Sequence, residues 1–251
     1  MIGGTWRLGE VLAVLSGKGG TGKTSVCAGI AMALAQSGEQ VLCIDCDVGL
    51  RNLDISLGMA DCGALSFLDV CGNGYGLDWA ERHPICPDLR FLTAPMNCHV
   101  EEVDAQAFGE MLRTARQMCD YIFLDAPAGV DAGFRLVTDN ADRFLVVTGA
   151  GPAAIRDASR VGELLELAGK KNIRLIVNRV DRDVLAAVRL TIDDVMDTSG
   201  LPLIGVVPED PHVILGATFG VPLICRTKRG AGAACRRIAK RVQGLSQPID
   251  L

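Results

Sequence analysis

Short, continuous apolar runs recur along the chain at residues 11–15, 41–44, 89–92, 121–124, 144–147, 173–177 and 203–207. They are rich in Val, Ile and Leu and do not alternate with polar residues, the pattern of strands buried on both faces. Between most of them lie longer segments of helical period, such as 23–36, 104–118 and 153–168, each long enough for a crossover helix. Strand, helix, strand at this spacing predicts a mostly parallel sheet with helices on both faces. Right-handed crossovers then bring the carboxyl ends of the strands, and the loops after them, to one edge. Residues 60–88 are rich in Gly, Pro and Asp with little period, and read as an irregular excursion.

Composition supports this outline. The chain has 251 residues, 49% hydrophobic and 22% charged, enough to bury a substantial core and too apolar for disorder. No linker interrupts it, so residues 1–251 are expected to form a single domain. The ten cysteines are irregularly spaced and no secretory leader precedes them, which favours reduced thiols in a cytoplasmic protein. His83, His99 and His212 make no zinc spacing. No apolar stretch reaches the roughly 18 residues that cross a bilayer. The net charge of −5 is uneven: residues 211–251 hold seven Lys/Arg and one acid, Asp250. Such an end approaches anionic lipid or nucleic acid, or is a solvated helix face.

The chemistry begins at "VLAVLSGKGGTGKTSV". Gly17, Gly22, Lys23 and Thr24 fill the pattern G-x-x-x-x-G-K-[ST], between an apolar strand and a helical segment. Glycines let the backbone curl so that successive N–H groups point at phosphate oxygens, and the helix that follows adds its positive end. Lys23 reaches the β- and γ-phosphates and the Thr24 hydroxyl takes Mg²⁺. "YIFLDAPAG" places Asp125 at the end of a buried strand, as the second acid for the metal, acting through water. "VLCIDCDVGLRNLD" adds Asp45 and Asp47, on one side of an extended segment with Cys46 pointing away. Two acids near a γ-phosphate complete a magnesium shell and position an attacking water.

The loop "SGKGGTGKT" resembles the deviant Walker A motif of the MinD/ParA family of P-loop ATPases. "IDCDVGLRNLD", "FLDAPAGVDAGF", "IRDASRVGELLEL", "VNRV" and "GVVPED" are similar, in order and spacing, to its MinD-like members, over residues 10–245. The resemblance implies a P-loop NTPase fold of about seven or eight strands. It also implies ATP and Mg²⁺ as ligands, and slow, partner-stimulated hydrolysis in an ATP-bound homodimer. Gly19, Gly20, Thr21, Gly22, Lys23, Thr24 and Ser25 would cradle the phosphates, with Asp45 close to the magnesium shell and Asp47 orienting water. Asn178, Pro208, Glu209 and Asp210 would frame the adenine. Lys18 would cross the two-fold axis to the phosphates of the other subunit. Partners, a division inhibitor and its regulator, would dock near Arg156 and Arg160.

Members of this group end in an amphipathic membrane-targeting helix. Here Cys235, Ile238, Val242 and Leu245 form an apolar stripe beside Arg236, Arg237, Lys240 and Arg241, which resembles the family's last body helix, expected over 230–245. No bulky amphipathic segment follows it, so the expected place is the cytoplasm, with peripheral contact at the inner face of the membrane. Other readings within the group are a DNA-partitioning ATPase and a flagellar-number regulator. "GLRNLD" argues against DNA. An iron–sulfur reductase-type ATPase needs two interface cysteines from each chain, yet Ala-Pro-Ala-Gly-Val follows Asp125.

Overall fold

The apolar runs form strands. The computed structural model describes residues 8–48, 50–72, 74–96 and 98–249. Its strands are β1 (Glu10–Leu15), β2 (Val41–Asp45), β3 (Glu81–Arg82), β4 (Leu89–Leu92), β5 (Tyr121–Asp125), β6 (Arg143–Thr148), β7 (Ile173–Val180) and β8 (Leu203–Pro208). They make one sheet in the order β3-β4-β2-β5-β1-β6-β7-β8. Every neighbouring pair is parallel except β3 with β4. The helices are α1 (Lys23–Ala35), α2 (Leu53–Leu57), α3 (Phe67–Gly72), α4 (Ala105–Met118), α5 (Ala132–Thr138), α6 (Pro152–Leu167), α7 (Arg182–Val188), α8 (Ile192–Ser199), α9 (Pro211–Phe219), α10 (Leu223–Arg226) and α11 (Gly230–Val242).

Strand alternation divides the core in two. Val11, Ala13 and Leu15 of β1 pack in a cluster with Phe108 and Leu112 of α4 and Ile155 and Val161 of α6. Leu12 and Val14 face the other way, with Ile30 and Leu34 of α1 and Cys235 and Ile238 of α11. The same alternation sends Cys43 to the second cluster and Cys46 to the first, so this pair cannot hold one metal cluster from a common face. Helix α1 is buried on almost every side from Val26 to Ala35. It lies between the sheet, α2 and α11, and its small residues allow that approach.

Three details depart from the sequence reading. The excursion at 60–88 is more ordered than its composition predicts, with α3, a 3₁₀ turn at Leu77–Trp79 and the added strand β3. β3 is only Glu-Arg and pairs through its backbone, so no apolar period announces it. The last helix ends at Val242, not 245: Gly244 adopts φ 83° and the Leu245 N–H donates to the Lys240 carbonyl at 2.9 Å, a glycine-terminated helix end. Cys235, Ile238 and Val242 are buried as the stripe predicts, whereas Leu245 is exposed. Two of the C-terminal cations are structural. Arg236 donates to the carbonyls of Ile224, Thr227 and Gly232, and Arg241 to those of Ile204, Gln247 and Pro248.

Candidate functional site

β1, β2 and β5 lie side by side at the centre of the sheet, so the loops after them meet at its carboxyl edge. Residues 16–22 link β1 to α1, and Gly22 is the residue before the first turn of α1. Three glycines there are required by geometry, Gly20 by its φ of 80°. Gly22 has φ 82°, and a Cβ on it would stand 2.3 Å from Nδ2 of Asn178. A Cβ on Gly17 would stand 2.5 Å from Cβ of Asp157, so α6 packs directly on the loop.

Lys23 and Asp125 are both buried, with Lys23 Nζ 2.5 Å from Oδ1 of Asp125. Burial lowers the pKa of Lys23, but the Asp125 carboxylate outweighs it and the ammonium titrates above its ordinary value. Burial pushes the Asp125 carboxyl up, opposed by Lys23 and by a hydrogen bond from Thr24. The Thr21 hydroxyl is buried with no hydrogen-bond partner. A buried hydroxyl without a partner is costly, and a phosphate oxygen entering the loop would satisfy it. Thr24, Asp125 and Asp47 are hard oxygen donors of the kind magnesium takes.

Asp45 and Asp47 behave differently. Asp47 is half-buried on a cleft of about 380 Å³ lined also by Lys23, Thr24, Leu50 and Asn52. Asp45 is fully buried behind it and does not line that cleft. Its Oδ1 accepts from the Asp47 N–H, and its Oδ2 from the N–H groups of Asn52 and Leu53. Where the sequence places Asp45 close to the metal shell, its oxygens are engaged in bracing the loop that carries Asp47. Burial, and then the charge of Asp125, raise its pKa against those three hydrogen bonds.

Asn178, Pro208, Glu209 and Asp210 also come together. A second compartment adjoins the phosphate loop at Gly22 and Ser25 and is lined by Asn178, Arg179, Pro208, Glu209 and Ile214. Asn178 Nδ2 donates to the Thr21 carbonyl at 2.8 Å, which ties β7 to the phosphate loop. Its neighbour Arg179 was not legible as a site residue. The β7–β8 pairing breaks register between Val177 and Val180, and Arg179 takes φ 56°. This bulge turns Asn178 inward and sends Arg179 across the mouth of the compartment, where it pairs with Glu209 at 2.7 Å. The adjacent Asn178 was the only signal for it.

Asp210 also lines this compartment and acts there as a staple. Its Oδ1 accepts from the His212 N–H at 2.9 Å and its Oδ2 from the Ala231 N–H at 2.9 Å, joining the starts of α9 and α11. Burial raises its pKa, but these hydrogen bonds and the His212 ring outweigh it, and the carboxyl is held below its ordinary value. A depressed carboxyl stabilises the fold above its unfolded value of about 3.9, and that contribution is lost as pH falls through the folded value. Asp210→Ala is expected to cost about 1–2 kcal/mol at pH 7, with the gap closing in acid. Urea midpoints at pH 7 and below pH 4 check this; a gap that does not depend on pH would refute it.

Lys18 is exposed, and its carbonyl accepts from the Ser16 hydroxyl at 3.0 Å. Arg156 and Arg160 are exposed on the outer side of α6, and Arg160 pairs with Glu163 at 3.0 Å. No described helix is long and apolar enough to cross a membrane.

Comparison with known proteins agrees with this fold. Residues 12–223 match the CobQ/CobB/MinD/ParA nucleotide binding domain family. The chain is 35% identical over 245 residues to the septum site-determining protein MinD of Synechocystis, covering 96% of this chain and 92% of that protein. A chain of the MinC:MinD cell division protein complex of Aquifex aeolicus is similar with a TM-score of 0.89 at 33% identity, over 96% of this chain and 98% of that one. MinD of Pyrococcus horikoshii, solved with Mg-ADP, gives a TM-score of 0.82 at 29% identity, over 94% and 96% of the two chains.

Proposed function

This chain belongs to the CobQ/CobB/MinD/ParA nucleotide-binding family, and from that premise we propose that it is a MinD-like ATPase whose ATP-bound dimer recruits a division inhibitor of the MinC kind. The observation that carries the reading is the meeting of the deviant loop, Asp125 and Asp47 at one sheet edge, with Lys18 exposed on that loop. ATP binds with its phosphates on the N–H groups of residues 19–25 and its base between Asn178, Arg179, Pro208 and Glu209. The Thr24 hydroxyl and, through water, Asp125 would hold Mg²⁺, which would supply positive charge to the β- and γ-phosphates. Lys23 shares its ammonium between Asp125 and the phosphates, since it has three donors. Asp47 orients the attacking water, and Asp45 holds Asp47 in place. Lys18 balances the triphosphate of the other subunit at a dry interface, so the γ-phosphate biases a monomer–dimer equilibrium.

The inhibitor and its regulator dock along the outer side of α6, at Arg156 and Arg160. The N-terminal part of that helix touches the phosphate loop at Gly17, which gives a docked partner a short mechanical path to the nucleotide. We place the whole of residues 1–251 in one ATPase domain, at work in the cytoplasm and peripherally on the inner face of the membrane. The use of Arg236 and Arg241 in bonding backbone carbonyls weakens the DNA-partitioning alternative, because those charges brace the fold.

Light scattering with ADP, then with a slowly hydrolysed ATP analogue and Mg²⁺, tests the switch; a MinC-type inhibitor co-eluting with the analogue form alone is the expected result. Co-elution under both nucleotides would refute the gating. Asn178→Ala is expected to weaken ATP binding about tenfold, the effect of losing one well-buried hydrogen bond that pins the loop. Calorimetric titration checks this, and an unchanged Kd would remove Asn178 from the site.

A further inference from the structure

Of the three histidines, His83 alone is buried. It lies in the turn between β3 and β4, and its N–H donates to the Leu89 carbonyl at 2.9 Å, so its backbone is fixed to the start of β4. Both ring nitrogens are engaged. Nδ1 accepts from the N–H groups of Ile85 and Cys86, each at 3.1 Å. A ring nitrogen that accepts carries no proton, so the imidazole is neutral and its one proton sits on Nε2. Burial favours that neutral form, against the pull of the bond to Leu57. Nε2 stands 2.8 Å from the Leu57 carbonyl oxygen and donates to it. Leu57 is the last residue of α2, and the last carbonyls of a helix have no partner within it.

The other end of α2 is held as well. The N–H groups of Asn52 and Leu53 donate to Oδ2 of Asp45, and Oδ1 of Asp45 accepts from the Asp47 N–H. Asp45 ends β2, which pairs with β4. The connections close a ring that runs from β4 through the imidazole, α2, the Asp45 carboxylate and β2 back to β4. Leu53 and Leu57 bury α2 against the second core cluster. Apolar contact is non-directional, so it lets a helix of five residues slide or turn. A directed bond at each end prevents that. We infer that His83 is a positioning residue for hydrolysis: its bond to the Leu57 carbonyl fixes α2, and α2 with Asp45 fixes the loop that presents Asp47 to water. The inference rests on the role of Asp47 given above. His83 lines neither the phosphate cleft nor the second compartment, so it acts on the rate and not on ATP binding.

Two substitutions separate this task from that of holding the turn. The amide of His83→Gln reaches the place of Nε2 and still donates to Leu57. The Oδ1 of His83→Asn reaches the place of Nδ1 and still accepts within the turn. Phosphate release at saturating ATP and Mg²⁺ should fall about tenfold in His83→Asn, the size of one buried hydrogen bond, and by less than about twofold in His83→Gln. Both should keep the parental KM for ATP. The reverse order, or a fall in both that follows their urea midpoints, overturns the inference. In an Asp47→Ala background His83→Asn should slow turnover no further; a second fall of about tenfold shows that the two act apart and overturns it too. In the parent, ¹⁵N spectra of histidine-labelled protein at pH 7 should show the Nε2–H tautomer for the signal that His83→Gln lacks. The other tautomer, or an imidazolium, overturns the inference without need of any variant's activity. His83→Asn at the parental rate with Asp47→Ala slow sinks the inference alone, whereas Asp47→Ala at the parental rate sinks the reading beneath it.

Discussion

Lys18→Ala is expected to bind ATP and yet fail to dimerise. The Lys18 side chain is exposed, and the groups that converge on the loop from its own chain are Lys23, Thr21, Thr24 and the backbone N–H groups. Removing Lys18 therefore leaves nucleotide affinity near the parental value, while two facing triphosphates lose the cations that balance them. Removing one charge-stabilising donor from such a site costs about 10²–10³ in rate, and steady-state turnover should fall by about two orders of magnitude. Light scattering with Mg²⁺ and the slowly hydrolysed analogue, paired with a phosphate-release assay, reads both effects. A Lys18→Ala protein that dimerises with the parental midpoint would show that the cross-subunit cation has no part in the switch.

Asp47→Ala is expected to do the opposite and hold the dimer together. In the proposed site phosphate is held by the loop and Lys23, which this substitution leaves alone, so ATP should still drive association. Without the carboxylate the attacking water loses its orientation, a loss worth about 10²–10⁴-fold in rate for a group acting on a proton or a water. The variant should elute as a dimer with ATP itself, where the parent returns to monomer as ATP is consumed. Hydrolysis at the parental rate would take Asp47 out of the mechanism. The pH profile adds an independent reading. Burial raises the Asp47 carboxyl above its ordinary value, with Lys23 opposing and Asp45 adding to the rise. The ionised form orients water, so turnover is lost as pH falls through that raised value. The acid limb should therefore lie above the ordinary carboxylate pKa of about 3.9 and disappear in Asp47→Asn.

The expected role of Asp47 could be read from its own short segment, whose chemistry is local, whereas that of Lys18 came only from the resemblance to the family. A loop of seven residues between a strand and a helix can curl around phosphate in only a few ways. Gly17, Gly22, Lys23 and Thr24 therefore carry their meaning in their spacing alone. Asp47 and Asp125 follow apolar strands, and strand ends in a parallel sheet share an edge. Arg179 was not legible for the converse reason. Its direction depends on a register break between β7 and β8, which is a property of two strands in contact and leaves no mark in either. Asp45 and Asp47 look equivalent in the chain. They part in the structure because the N–H groups of Asn52 and Leu53 fold back onto one of them.

The chain by itself determined the layers of the fold, the order of strand and helix, and the glycine-rich loop proposed to hold phosphate. Apolar period and glycine spacing act over a few residues, and the physics that reads them is equally short in range. Tertiary structure alone decided the tie between Asn178 and the Thr21 carbonyl, 157 residues apart, and the staple that Asp210 makes between α9 and α11. It also decided that an uncharged helix such as α9 lies at the surface. Period and composition measure how apolar a segment is, whereas its exposure depends on what the rest of the chain packs against it.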